Sequence, residues 1–138
     1  MQWPQIMGGV VPVMNVKGIG AGIRFAYAIL SDNSLVGWGR NDWGQTNIPA
    51  QATNILMVDG GDRHAVALRA DGTVVAWGNN PWGNNTVPLG LANVVAIDAG
   101  LNHSIALRSD GSVVVWGDNN DGQVRTLTPS NTLTASRT

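Results

Sequence analysis

The sequence predicts an all-β protein assembled from small, repeated antiparallel sheets. Its 138 residues include 18 glycines, many Asn, Asp and Thr, and no Glu, so turn formers are abundant and strong helix formers scarce. Short apolar or alternating runs such as VVAID, HSIALR and SVVVWG are separated by turn residues, a pattern typical of strands. Finally, Trp38, Trp77 and Trp116 lie 39 residues apart (77 − 38 and 116 − 77), which indicates a repeat.

The repeat extends to Gly, Asp and Asn positions throughout the chain and divides it into three units. These units are residues 16–54, 55–93 and 94–132, preceded by a partial unit at 1–15, and they form one domain over 1–138. A unit of three strands cannot bury both faces of its sheet, so neighbouring units must stack face to face. Stacking around an axis predicts part of a β-propeller, with about three blades of three to four antiparallel strands.

Each unit should contain a hairpin between its second and third strands. Asp71-Gly72 and Asp110-Gly111 suit a type I′ turn, in which both central residues have positive φ, and Asp32-Asn33 takes their place in the first unit. The alternation in HSIALR assigns Ile105 and Leu107 to the buried face of their strand.

The most regular aromatic and imidazole positions are interpreted as scaffold. Trp38, Trp77 and Trp116 are expected in the core between blades, and the glycine after each allows close approach of another backbone segment. His64 and His103 share a repeat position with Phe25, and a position that accepts Phe is unsuited to metal ligation or acid–base chemistry. These histidines are expected to be half-buried and to bond to a neighbouring strand or loop.

Composition excludes several classes of function. Eight Lys and Arg against nine Asp leave a net charge of −1, which predicts no nucleic-acid partner and no membrane partner. The chain has no cysteine, no carboxylate pair with Glu, no phosphate-binding loop and no histidine pair at metal spacing, so we expect no enzyme activity, no catalytic residues, no metal and no cofactor. Its start resembles neither a signal peptide nor a transmembrane segment, and the compartment stays open.

The repeats carry a specific resemblance. The run AGLNHSIALRSDGSVVVWGDNNDGQ places Gly, His, Asp-Gly, Trp-Gly and Gly-Gln at fixed offsets, and it resembles the repeats of the regulator of chromosome condensation family of β-propellers. The short period and the segment WGRNDWGQTNIPAQA are most similar to the bacterial β-lactamase inhibitory proteins of the second type, whose blades have three strands. The resemblance covers residues 15 to 131.

Binding is predicted at loops that vary between units while their frame stays constant. Variable side chains on a rigid frame are typical of binding surfaces, and exposed aromatics make good anchors. Trp43 and Trp82 follow Asn-rich turns, and their third-unit counterpart is Asp121. The predicted partner-binding residues are Arg24, Asp62, Arg63, Asn102, Trp43 and Trp82.

The resemblance supports part of this prediction and weakens another part. In the inhibitory proteins, the position matching Trp43 and Trp82 carries aromatics that face the target. Their loop aromatics at the positions of Arg24, Arg63 and Asn102 are absent here, as is the photoreceptor tryptophan that plant ultraviolet-B sensors carry at the position of Asp62. Inhibition of β-lactamases and light sensing are therefore not expected.

The predicted function is non-catalytic recognition of an unidentified protein partner through rim loops. Propellers of this family close with about seven blades, so three blades would leave an apolar sheet face at each end. We therefore expect self-association, with a homodimer of six or seven blades favoured. Two alternatives remain: a structural or chimeric repeat cassette without a ligand, and a lectin-like module in which Trp stacks on a sugar.

Overall fold

The computed structural model describes residues 15–79, 83, 85–119, 122, 124–127 and 133–135, and their regular structure is entirely β. The strands are β1 (Val16–Gly22), β2 (Phe25–Leu30), β3 (Leu35–Gly39), β4 (Ile55–Gly60), β5 (His64–Arg69), β6 (Val74–Gly78), β7 (Val94–Ala99), β8 (His103–Arg108), β9 (Val113–Gly117), β10 (Arg125–Leu127) and β11 (Leu133–Ala135). The described part of the chain contains no helix with the length and apolar character of a membrane span.

The strands form three antiparallel sheets that follow one another along the chain. Sheet 1 has the order β1-β2-β3, sheet 2 the order β4-β5-β6, and sheet 3 the order β7-β8-β9-β10-β11. β2, β5 and β8 each pair with the strand before and the strand after them in the sequence, and the register of these pairs is the same in all three sheets. The all-β fold and the arrangement of a partial propeller are confirmed.

The core lies between consecutive sheets. We call the side of a sheet that packs on the preceding sheet its leading face, and the side that packs on the following sheet its trailing face. One apolar cluster joins the trailing face of sheet 1 (Tyr27, Ile29, Leu35) to the leading face of sheet 2 (Ile55, Val58, Trp77). A second cluster joins the trailing face of sheet 2 (Val66, Leu68) to the leading face of sheet 3 (Val94, Ile97, Trp116).

The repeated tryptophans belong to these contacts, as predicted. Trp77 packs edge-on against Tyr27 of the preceding sheet, with ring centroids 5.7 Å apart, and Trp116 is similarly buried. Trp38 is only half-buried, because the leading face of sheet 1 has no described sheet in front of it. The position is therefore core wherever another sheet precedes it.

The prediction for the second strand of sheet 3 was wrong. Ser104 and Ala106, not Ile105 and Leu107, are the buried residues of β8, and Leu107 is 38% exposed. The corresponding Val66 and Leu68 of sheet 2 are buried because sheet 3 covers them. Alternation along the strand thus identifies the face correctly, but burial also needs a following sheet.

The hairpin turns also differ from the prediction. In the three-residue loop of each hairpin between the second and third strands, the third residue alone has positive φ. These residues are Asn33 (70°), Gly72 (83°) and Gly111 (86°). The hydrogen bonds from Gly72 N–H to Arg69 C=O and from Arg69 N–H to Thr73 C=O define a type I turn followed by a bulge. The Asp71 carboxylate accepts the Thr73 N–H at 3.0 Å, which stabilises this turn.

Replacement of Gly78 by alanine should destabilise the fold through both backbone conformation and space. Gly78 has φ of +105°, and a Cβ there would lie 2.4 Å from the Arg63 carbonyl oxygen. We expect a loss of about 3 kcal/mol in the free energy of unfolding, measured by urea denaturation. The matched variant Gly111→Ala has φ of +86° but nothing within 4 Å, and should lose only about 1 kcal/mol. Equal losses of unfolding free energy in the two variants would disprove that the close approach of the Arg63 carbonyl to Gly78 matters for stability.

A carboxylate also bridges two sheets. The Asp59 side chain accepts the backbone N–H of Ala99 across the contact between sheets 2 and 3, at 2.9 Å. Burial, the hydrogen bond with Asp98 and the negative charge of Asp98 together raise the pKa of Asp59 to about 6. The folded chain therefore holds a proton on Asp59 at mildly acidic pH that the unfolded chain has released.

Asp59→Asn should change the pH dependence of stability. Because the folded-state pKa lies above the unfolded value of 3.8, the stabilisation from the bound proton is complete at low pH and is lost as pH rises through 6. Asn does not ionise and can still accept the Ala99 N–H, so the variant should gain about 1 kcal/mol over the parent between pH 4 and pH 7 after solvent screening. Urea denaturation at both pH values measures this difference.

Asp71→Asn is the matched control for that experiment. Hydrogen bonds from Thr73 lower the pKa of the exposed Asp71 carboxylate, so its contribution is present above the unfolded pKa and lost in acid. The free energy of unfolding of the control should therefore change in the opposite direction, so that Asp71→Asn becomes less stable relative to the parent as pH rises. A parallel response of the two variants would contradict the pKa assignment of Asp59.

Candidate functional site

The loops between the first and second strands of the three sheets are held on one rim by backbone hydrogen bonds. The carbonyls of Arg24, Arg63 and Asn102 each accept an N–H from the residue that follows the Trp-Gly pair of the same unit, at 2.8, 2.8 and 2.9 Å. The glycine of that pair permits this approach, as the geometry of Gly78 shows. Three predicted binding positions are thereby fixed at equivalent places.

The loop that carries Trp43 is built by its own polar side chains. Asn41 accepts the Thr46 N–H at 2.9 Å and donates to the Asn47 side chain at 3.0 Å. The Gln45 amide oxygen accepts the Trp43 N–H at 2.8 Å, and Gly44 supplies a positive φ of 80° between them. This network holds the Trp43 side chain on the rim, where it is 42% exposed.

Gln45 anchors the same loop to the core. The residue is completely buried, and its backbone carbonyl accepts hydrogen bonds from the Tyr27 hydroxyl and from the Trp77 indole N–H, the latter at 2.8 Å. Burial raises the pKa of the Tyr27 phenol well above its usual range, so the hydroxyl remains a donor. The rim loop therefore depends directly on the contact between sheets 1 and 2.

These loops enclose a small cleft between sheets 1 and 2, which we call the rim cleft. Its volume is about 230 Å³, and it is lined by Ile23, Arg24, Arg40, Trp43, Gln45, Asp62 and Arg63. The Arg63 guanidinium lies over the Trp43 ring, 4.8 Å from its centroid, in a cation–π contact between the two units. The cleft is thus shared between loops of consecutive sheets.

The charge of the rim cleft is predominantly positive. Arg40 pairs with Asp42 at 2.7 Å, and Arg63 approaches the Asp62 carboxylate at 3.5 Å. The Arg24 side chain has no ionic partner among the described residues. Three guanidinium groups and one carboxylate, Asp62, therefore line the cleft, on a chain whose net charge is −1.

Four of the predicted binding residues line the rim cleft: Arg24, Trp43, Asp62 and Arg63. Asn102 occupies the equivalent loop of sheet 3 and does not line this cleft. Trp82 lies outside the described residues. Arg24 itself adopts φ of +72°, an unusual conformation for a residue other than glycine, asparagine or aspartate.

Sequence reasoning missed Arg40 and Gln45 as members of this site. Nothing in the sequence pointed to Arg40, because the residue after Trp-Gly differs in the three units, where it is Arg, Asn and Asp. Gln45 could have been found, since Gly44-Gln45 recurs as Gly122-Gln123 and a repeated polar residue after a turn suggests an anchored loop.

The two histidines lie in sheets 2 and 3 at equivalent positions. His64 is completely buried, more than predicted, and its Nε2 lies 3.1 Å from the Ser104 hydroxyl of the next sheet. Burial lowers the pKa of His64 to about 4, so the ring is neutral at physiological pH. His103 is half-buried, as predicted. Within the described ranges, no three His, Cys, Asp or Glu side chains come together as a metal site.

Comparison with known families identifies the repeat. Residues 58–81 and 94–123 match the regulator of chromosome condensation (RCC1) repeat. This match confirms the predicted resemblance at the level of the repeat. A search of curated proteins returned no match.

Solved structures show the same fold. Prp20p from Saccharomyces cerevisiae, studied for its binding to Gsp1p and histones, is similar with a TM-score of 0.68 and 21% identity over 77% of this chain. The ectodomain of the Physcomitrella patens receptor kinase CR4 gives 0.66 and 24% over 79%, and human WBSCR16 gives 0.67 and 20% over 86%. This chain spans 34%, 32% and 40% of those three chains, respectively.

Proposed function

We propose that this chain, which carries RCC1-type β-propeller repeats, is a non-catalytic protein-binding module that holds its partner at the rim cleft. The observation that carries the proposal is the meeting of Arg24, Arg63 and Trp43 from loops of two sheets. Each of these loops is fixed by hydrogen bonds, so little conformational entropy is lost when a partner binds. Arg and Trp are also the side chains that most often dominate protein interfaces.

The partner segment is proposed to be acidic. A guanidinium group binds a carboxylate through two parallel hydrogen bonds, and Arg24 has no ionic partner of its own among the described residues. Arg63 is oriented by its contact with Trp43 and by Asp62, whose carboxylate lies 3.5 Å from the Arg63 Nε, and a ligand carboxylate would bind the terminal nitrogens of the guanidinium group. A cleft of about 230 Å³ accommodates one or two side chains, as expected for an anchor point within a larger interface.

The known neighbours support protein recognition as a use of this fold. Prp20p has binding properties towards Gsp1p and histones, and yeast RCC1 (Prp20) has been solved with Kap60 bound to it. Those partners belong to Prp20, and at 20 to 21% identity only the fold carries over. The finer likeness to β-lactamase inhibitory proteins stays a prediction.

The arrangement of the cleft favours recognition over chemistry. Among the described residues that line it, the one carboxylate is that of Asp62, which faces Arg63, and the buried neutral His64 does not line it. A lectin-like use is disfavoured, because Arg63 already occupies one face of the Trp43 ring and so reduces the surface on which a sugar could stack. A cassette without any ligand would leave the convergence of three arginines without a function.

The proposal is tested with fluorescein-labelled peptides of equal length that contain either Glu and Gly or Gln and Gly. Anisotropy titration should show binding of the Glu peptide and much weaker binding of the Gln peptide. Arg24→Ala combined with Arg63→Ala should weaken the Glu peptide about 30-fold, because each charged contact contributes about 1 kcal/mol.

Arg108→Ala is the matched control for charge. Arg108 donates to the Ser112 hydroxyl at 2.7 Å, outside the rim cleft, so its removal should leave affinity for the Glu peptide within about twofold. Equal binding of the two peptides, or equal losses in the Arg108 variant and the double variant, would overturn the proposal.

A further inference from the structure

The leading face of sheet 1 is uncovered at positions that are core elsewhere in the repeat. Ile19 is 81% exposed, whereas its counterparts Val58 and Ile97 are 5% and 8% exposed. Val16 is likewise exposed, whereas its counterparts in sheets 2 and 3 are buried. Repeat positions whose apolar side chains are buried in sheets 2 and 3 are therefore exposed to solvent in sheet 1.

The trailing face of sheet 3 is uncovered in the complementary way. Ile105 and Leu107 line an open groove of about 240 Å³ together with Ile97, Asp98, Val113 and Ala96. The residues at the positions of Ile105 and Leu107 in sheet 2 are completely buried by sheet 3. Each chain therefore carries both halves of an intersheet contact, one on sheet 1 and the other on sheet 3.

Polar groups repeat in the same register as the apolar ones. Across the two internal contacts, Ile55 N–H donates to the Asn33 carbonyl and Val94 N–H donates to the Gly72 carbonyl, both at 3.0 Å. The next positions in this series are the Val16 N–H in sheet 1 and the Gly111 carbonyl in sheet 3.

The side-chain bridge between sheets 2 and 3 has a counterpart as well. Asp59 accepts the Ala99 N–H across that contact. Asp98 is the counterpart of Asp59 in sheet 3, and its side chain lines the open groove. Ala21 is the counterpart of Ala99 in sheet 1, and its N–H is the corresponding donor. The open groove of sheet 3 therefore presents an acceptor that matches a donor in sheet 1.

We propose that a second copy of this chain docks the leading face of its sheet 1 on the trailing face of sheet 3. The interface would place Ile19 in the groove formed by Ile105 and Leu107, with Asp98 accepting the Ala21 N–H. Two copies that use both faces close a ring of six sheets. Neither face includes the rim cleft, so this association and the proposed partner binding can fail independently.

Light scattering after size exclusion tests the association. The chain should elute at twice its mass of 14.5 kDa, and Leu107→Asp or Ile19→Asp should each yield a folded monomer. The control Leu56→Lys changes an exposed strand residue outside both faces to the residue found at that repeat position in sheet 1, Lys17, and should remain dimeric. A monomeric parent chain would overturn the proposal.

Mixing the two variants tests the head-to-tail geometry. The Ile19→Asp chain keeps an intact trailing face and the Leu107→Asp chain keeps an intact leading face, so an equimolar mixture should regain one contact and form a mixed dimer. Circular dichroism of each variant verifies that its sheets are folded. A dimer of either variant alone, or no dimer in the mixture of folded variants, would contradict the head-to-tail contact.

Discussion

Trp77→Ala should lower the free energy of unfolding by about 4 kcal/mol, a large fraction of the stability of a domain of this size. The indole is 7% exposed, packs against Tyr27 and donates to the Gln45 carbonyl. Its removal leaves a cavity between sheets 1 and 2 and removes one of the two donors that anchor the rim loop. Urea denaturation measures the loss, and affinity for the Glu peptide should fall with it.

Two variants separate the contributions of this side chain. Trp77→Phe keeps most of the apolar volume and loses the indole hydrogen bond, so it should cost about 1 to 2 kcal/mol. Trp38→Ala removes the same residue from a face without a preceding sheet, and in a chain held monomeric by Leu107→Asp it should cost less than half as much as Trp77→Ala. Equal costs for Trp38 and Trp77 would contradict the assignment of the core.

Leu68→Asp should abolish folding, whereas Leu107→Asp should leave the sheets intact. The two leucines occupy the same repeat position, but Leu68 is 2% exposed beneath sheet 3 and Leu107 is 38% exposed in the open groove. An unpaired carboxylate buried at Leu68 should cost more than about 4 kcal/mol. Far-ultraviolet circular dichroism distinguishes the outcomes, and a folded Leu68→Asp chain would refute the stacking of sheets 2 and 3.

The architecture could be predicted because its causes are local and repeated. The spacing of Trp38, Trp77 and Trp116 identified the repeat, and turn dipeptides located the hairpins. The turn type was wrong because an Asp side chain that accepts the N–H two residues ahead favours a type I turn, which dipeptide identity alone does not reveal. The exposure of Ile105 and Leu107 was wrong for another reason, since it depends on how many sheets follow.

The candidate site was harder to predict, because it forms between units. The variable loop positions drew attention to Arg24, Arg63 and Trp43, which the structure brings together. No pattern within one unit indicates that Arg63 lies over the Trp43 of the preceding unit. Arg40 varies between units and could not have been found in this way, whereas the recurring Gly-Gln pair could have pointed to Gln45.

The shared construction of the rim cleft has a consequence for how such chains evolve. Its walls come from two successive units, with Arg24 and Trp43 from one and Asp62 and Arg63 from the next. Duplication or deletion of a 39-residue unit therefore changes the number of intersheet junctions, and with it the number of places where a cleft can form. A substitution in either unit changes a cleft whose other wall belongs to the neighbouring unit, so the ligand preference of the rim cleft is a property of the pair of units.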